Sequence, residues 1–375
     1  MATKKSLVAI FVTVVMLSFL YGTSVGIYKL PPYEILNKIH DRLNNSKPIQ
    51  NDQTPIEQNV TSLIHINTKN DIVNERANLI HYIWKRSDFP YNKLPSHVDK
   101  NIVDDRYADI QNLQRIEKIT TTMDYGVDSK AYLFLANNSN NKLVIYHQGH
   151  DGDFILGKKT IQLFLDNQYS VLAFSMPLNG MNSQPIVNLS NFGNLKLTTH
   201  DDLQFLESER FSPIKYFVEP IAVSLNYVEK NYHFDSYYMT GISGGGWTTA
   251  FYSAIDPRIT KSYPVAGTAP MYLRFHNPKN IGDYEQMLPS FYNTTNYLDQ
   301  YILASYGINR EQMQIFNKND PCCFSGTGFT TYENFIKERL SKLGQGKFSV
   351  LLDEDNNQHS ISEKSLKTIL QHMKN

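Results

Sequence analysis

The stretch SYYMTGISGGGWTTAFYSAID places Ser243 inside the run Gly241-Ile242-Ser243-Gly244-Gly245-Gly246. An apolar run leads into it and another leads out, so the serine sits where a strand turns sharply into a helix. Glycine weakens regular elements, and a cluster at such a junction implies that the backbone needs room there. The spacing matches G-x-S-x-G, in which a serine on a tight turn lifts its hydroxyl above the end of a sheet. A glycine-rich turn used only for close helix–strand packing is the alternative. A serine hydroxyl is a weak nucleophile. To attack a carbonyl it needs a base, a group that orients the base, and donors for the oxyanion. Residues of these types occur as Asp320 in QMQIFNKND, His359 in LLDEDNNQHSIS, and the loop His147-Gln148-Gly149-His150-Asp151-Gly152-Asp153. Each also has an ordinary role: Asp320 can start a turn before Pro321, and His359 can be a solvated loop histidine.

The elements that must hold these residues follow from apolar periodicity. RIEKITTTMDYGV and KAYLFLAN read as an antiparallel hairpin, and KLVIYH as a strand buried on both faces. A helix over GKKTIQLFLDNQ and a strand over YSVLAFSM come next. Ser212-Pro213 opens a helix with a cap and a first-turn proline, and Pro220 should kink it. After the Ser243 turn the helix GWTTAFYSAID and the strand KSYPVAGTAP follow. An aromatic insertion over residues 269–312 leads to strand EQMQIFNKND, helix TYENFIKERLSKLG, strand KFSVLLDED and a last helix from Ser362. Strands alternating with helices predict a parallel sheet covered on both faces, with reactive groups at the C-terminal strand ends.

Over residues 115–375 the glycine-flanked serine, the strand–helix alternation and the order of the candidate residues resemble the α/β-hydrolase superfamily. The resemblance implies a mostly parallel eight-stranded sheet and acyl transfer through a covalent intermediate. In that family the order is serine, acid, histidine. Of the 11 histidines, His276, His359 and His372 follow Ser243. His359 alone lies between the final strand and the final helix, so it is the expected base. Asp320 is the expected acid, with Asp353 and Asp355 as competitors on the loop of His359. One oxyanion donor is expected from Gly244, and the other from the loop after KLVIY, with the His150 amide first and Gly149 second. Gln148, standing between His147 and Gly149, departs from the usual His-Gly pair.

Other polar clusters compete for attention. His147, His150, Asp151 and Asp153 could ligate a metal, but no second His/Cys cluster completes the shell, so neither metal nor other cofactor is expected. His200-Asp201-Asp202 could line a pocket, or its aspartates could serve a helix start. Tyr272, Phe275, Tyr284, Phe291, Tyr292, Tyr297, Tyr301 and Tyr306 make the insertion 269–312 either a substrate-walling cap or an aromatic layer packed on the sheet.

Bulk composition narrows the rest. The 375 residues carry 36 basic and 36 acidic side chains, with no basic run longer than two, which argues against a nucleic-acid partner. After Lys4 and Lys5, residues 6–28 carry no charge, so residues 1–28 are expected to be a signal peptide or a single-pass anchor. Either would put the body of the protein outside the cytoplasm, at the cell membrane or secreted. Residues 29–114 read as a linker followed by a helical extension, with a helix expected over 71–84. The two cysteines, Cys322 and Cys323, are adjacent, and two packed thiols are expected rather than a bridge. Together these features predict an extracytoplasmic serine hydrolase acting on a small-molecule or polymer-borne carboxylic ester. A serine peptidase of the same fold and a catalytically inactive surface-binding module are the alternatives.

Overall fold

The computed structural model describes residues 59–190, 192–274 and 280–374, together with Met16, Ser18 and Tyr21. The chain divides into two compact units, Met1–Asp52 and Gln53–Asn375, and the sheet and its helices belong to the second. The expected membrane segment over residues 6–28 falls, but for three residues, outside the described residues. No helix among the described residues is long and apolar enough to cross a membrane.

Eleven strands are described: β1 His97–Ile102, β2 Leu113–Thr122, β3 Asp128–Ala136, β4 Lys142–His147, β5 Ser170–Phe174, β6 Ile186–Leu189, β7 Gly193–Lys196, β8 Ser236–Ile242, β9 Ile259–Val265, β10 Glu311–Asn317 and β11 Lys347–Asp353. Nine of them form one sheet in the order β1-β2-β3-β5-β4-β8-β9-β10-β11, while β6 and β7 pair as a separate ribbon. β1, β2 and β3 run antiparallel, as does β3 against β5, and from β5 to β11 neighbours run parallel. The sheet therefore has nine strands where eight were expected. The extra one, β1, reads HVDKNI, with mostly polar residues and no buried position. A mostly polar edge strand with only Val98 and Ile102 packed against the cores leaves little apolar signature.

The inner strands explain the fold. β5 is buried along its whole length and β4 at every residue after Lys142, as continuous apolar strands require when helices cover both faces. Alternation along β4 sends Leu143 and Ile145 to one core, and Val144 and Tyr146 to another. The first core takes helices α1 Lys69–Trp84, through Ile72, Leu79 and Ile83, and, after α2 Lys158–Asp166, takes α3 Lys215–Asn231, α4 Gly244–Ile255, α5 Tyr297–Ser305 and α6 Glu333–Leu343. The second takes α2 and α7 Glu363–Lys374, the latter through Leu366, Ile369, Leu370 and Met373. Each of those four side chains contributes about 1.5–3 kcal/mol of burial.

Local signals act as expected at some helix ends and not at others. Thr68 and Asp71 form a reciprocal capping box at the start of α1. Ser212 does not cap α3: the helix begins at Lys215 and has no side-chain cap.

Candidate active site

Ser243 joins β8 to α4 at φ 57° and ψ −125°, a backbone conformation that a residue with a side chain adopts only when the surrounding structure enforces it. Its amide donates to the Val265 carbonyl on β9, and its carbonyl accepts from Trp247 within α4. The glycines have steric reasons. A Cβ on Gly241 would strike the Gly245 carbonyl, and one on Gly245 would strike that of His147. The turn can form only if both positions lack side chains.

Across the sheet, the loop after β10 meets the loop after β11. His359 Nδ1 donates to Asp320 Oδ2 at 2.9 Å, which leaves Nε2 as the basic nitrogen. The other Asp320 oxygen accepts the Cys322 amide at 2.9 Å, and the carboxylate is fully buried while His359 is 20% exposed. Asp320 lies three residues beyond the end of β10, not at the strand terminus. Asn317, which no motif marks, ties the two loops together. Its Nδ2 donates to Asp320 Oδ2 and to the carbonyls of Gln358 and Ser360. The competing carboxylates are occupied elsewhere. Asp353 accepts from Ser362 and Ser365 at the start of α7, and Asp355 pairs with Lys364 at 2.7 Å. His372 lies by the start of β10, between Tyr263 and Glu311.

The loop after β4 presses on Ser243. A Cβ on Gly149 would come within 2.8 Å of Ser243 Cβ, so Gly149 is the point of closest approach. Among the described residues, no carbonyl takes the amides of Gly149, His150 or Gly244. Gln148, the departure from a His-Gly pair, is buried and holds the loop by accepting from Tyr146 and donating to Asp151 Oδ1 at 2.7 Å. His147 donates Nδ1 to the Gln148 carbonyl, and burial pushes its imidazole down to about 4. Asp153 accepts from the Ile155 amide. Three of the four residues first considered as metal ligands are thus committed to the loop itself.

The fourth, His150, joins a different group. Its imidazole fills the space a Cβ on Gly244 would need, and its Nε2 lies 2.9 Å from Glu285 Oε1 and 3.1 Å from Asp283 Oδ2. His200 Nδ1 reaches the other Glu285 oxygen at 3.0 Å, and its Nε2 reaches the Pro177 carbonyl at 3.0 Å. Burial opposes charge on His150, but the Glu285 and Asp283 carboxylates outweigh it and raise its value. Burial likewise opposes ionisation of Glu285, yet His200 and His150 hold the carboxyl well below its usual range. Asp202 serves the helix-start role, accepting the Thr198 and Thr199 amides, while His200 points inward. Nothing in IGDYEQML marks Glu285 as special.

Cys322 and Cys323 are joined by a disulfide, contrary to the expectation of two thiols, and Cys323 Sγ lies 3.9 Å from His359 Nε2. In the insertion, Phe291, Tyr297 and Tyr301 are buried in the first core and Tyr284 donates to Glu207 at 2.7 Å. These aromatics pack the molecule, while Phe275 lies outside the described residues. A cleft of about 990 Å³ opens by the starts of β9, β10 and β11, lined by Lys261, Arg310, Lys347 and His372. That is the wrong end of a parallel sheet for its chemistry. Arg310 there spends its donors on the carbonyls of Ile259, Leu303 and Tyr306.

No family model and no curated protein matches the sequence. Solved structures do match the fold. Acetyl xylan esterase 1 from Thermoanaerobacterium sp. JW/SL YS485 superposes with a TM-score of 0.56 at 13% identity, over 85% of this chain and 98% of that one. The acetyl xylan esterase of Paenibacillus sp. R4 gives 0.52 at 16% identity over 84% and 98%, and the glucuronoyl esterase of Solibacter usitatus gives 0.53 at 12% over 81% and 91%. With the strand order and the Ser243 turn, these likenesses identify the architecture: the chain has the α/β-hydrolase fold.

Proposed function

We propose that the protein is a serine hydrolase that cleaves carboxylic esters through an acyl-enzyme formed on Ser243. The observation that carries this reading is the pairing of a strained serine turn at the end of β8 with the His359–Asp320 contact beyond β11 and β10. His359 Nε2 takes the Ser243 proton as the hydroxyl adds to the carbonyl carbon, and later passes it to the departing alcohol. Asp320 holds the tautomer and stabilises the imidazolium. The Gly244 amide, with that of His150 or Gly149, receives the oxyanion. Water, activated by the same histidine, then releases the acid.

The activities for which the structural neighbours are named make acetylated sugars and sugar-acid esters the first substrates to try. A location outside the cytoplasm, secreted or held by residues 6–28, suits a polymer-borne ester. A fluorophosphonate probe and p-nitrophenyl acetate test the reading. Wild type should label and turn over, and Ser243→Ala should do neither, losing at least about 10³-fold in rate while keeping its circular dichroism. Undiminished turnover in that variant would remove the proposal.

A further inference from the structure

Four potential metal ligands from three separate segments converge beside the serine turn, and ester hydrolysis as described uses none of their side chains. His150 Nε2 stands 2.9 Å from Glu285 Oε1 and 3.1 Å from Asp283 Oδ2, and His200 Nδ1 stands 3.0 Å from Glu285 Oε2. One donor atom each from His150, His200 and Glu285 lies within 4.8 Å of the others. Ligands about 2.0–2.2 Å from zinc stand a little over 3 Å apart, so donors gathered this closely need shift only slightly to surround a small ion.

The surroundings suit a cation. Glu285 is wholly buried, while Asp283 stands half-exposed at the rim. The two rings lie edge to face with centroids 4.9 Å apart, so that one ion between them would face both imidazoles and the buried carboxylate. His200 is oriented for this: its Nε2–H is held by the Pro177 carbonyl, so the Nδ1 lone pair faces Glu285. Metal-bound histidines are fixed through their second nitrogen in this way.

We propose that His150, His200, Glu285 and Asp283 bind a divalent transition-metal ion of the zinc type, to which two imidazoles and two carboxylates are suited. The ion ties the segment carrying Asp283 and Glu285 to the loop after β4, and so fixes the His150 ring against Gly244. It is a positioning site, and its existence does not depend on the ester-hydrolase reading.

The test uses the full chain, stripped with a chelator and titrated with Zn²⁺ by calorimetry and with Co²⁺ by visible absorption. One equivalent should bind at about micromolar affinity or tighter, give a four-coordinate cobalt spectrum and raise the unfolding temperature. Asp283→Asn, at the half-exposed rim, should stay folded and bind more than about tenfold weaker. The double variant His150→Ala/His200→Ala should lose the site. Cys322→Ser/Cys323→Ser removes the one other ligand-capable cluster among the described residues, the cysteine pair with His359, and should leave stoichiometry unchanged. Folded wild type binding zinc only at millimolar concentration would overturn the proposal. So would binding that survives in the double histidine variant, or in undiminished strength in Asp283→Asn.

Discussion

His359 and His150 each meet a buried carboxylate at 2.9 Å, yet the two surroundings differ. Around His359, one ring meets one carboxylate whose second oxygen is held by a backbone amide, and Nε2 lies 3.9 Å from the Cys323 sulfur. Around His150, one carboxylate serves two rings, and both nitrogens of His200 are occupied. A ring held at one nitrogen can pass a proton with the other, whereas His200, committed at both, cannot. The pair His372–Glu311, 3.1 Å apart near the starts of the parallel strands, has its other ring nitrogen taken by the Tyr263 hydroxyl. Distance between histidine and carboxylate is therefore a poor guide to chemistry. The account of the remaining nitrogen is a better one.

That contrast can be broken most sharply at Asp320. Asp320→Asn keeps the shape but disturbs the His359 tautomer, so turnover of p-nitrophenyl acetate should fall by about 10⁴ with unfolding unchanged in cooperativity. Near-wild-type turnover would show that the pair is structural and that the acid lies elsewhere.

The His150 cluster should respond in stability. Glu285→Gln leaves two histidines without their shared carboxylate, and breaking a buried charged contact costs about 3–5 kcal/mol. Urea unfolding of the chelator-treated variant measures it; a change below about 1 kcal/mol would mean the cluster is solvated and the contrast false.

His147 sharpens the pH side. Its folded value lies near 4 against an ordinary 6.5, so between those limits the unfolded chain binds more protons than the folded one. Stability should therefore fall as pH drops from 6.5 and level off below about 4, by about 3 kcal/mol from this group. His147→Asn, which can keep the donor to the Gln148 carbonyl, should flatten that slope in urea midpoints measured across the window.

The smallest effect concerns the loop of His359. Asp353→Asn weakens contacts to Ser362 and Ser365, so it should cost about 1 kcal/mol of stability, as a lost cap does. Turnover should fall by less than about tenfold, or 1.4 kcal/mol. A larger kinetic loss than that of Asp320→Asn would reverse the two roles.

Much of this was legible locally. The inner strands could be read because burial on both faces demands unbroken apolar runs, and α7 because its apolar residues recur at helical spacing. The Ser243 turn could be read because close backbone approach excludes every residue but glycine at Gly241 and Gly245. The order of the chain put Asp320 and His359 in the loops beyond the last two strands, on the side where a parallel sheet gathers its polar groups. β1 was not legible, since a mostly polar edge strand carries little apolar pattern. Nor was the joining of Cys322 to Cys323, because adjacency alone argues against a bridge and only the loop conformation around them decides. What tertiary structure alone settled is convergence: Glu285 meets His200 across 85 residues and His150 across 135, and Asn317 clasps the loop of His359 across 41. Periodicity and turn chemistry act over a few residues, so they determine elements and their ends. Which carboxylate faces which imidazole is decided by how loops from distant strands are packed together, and that depends on the whole sheet.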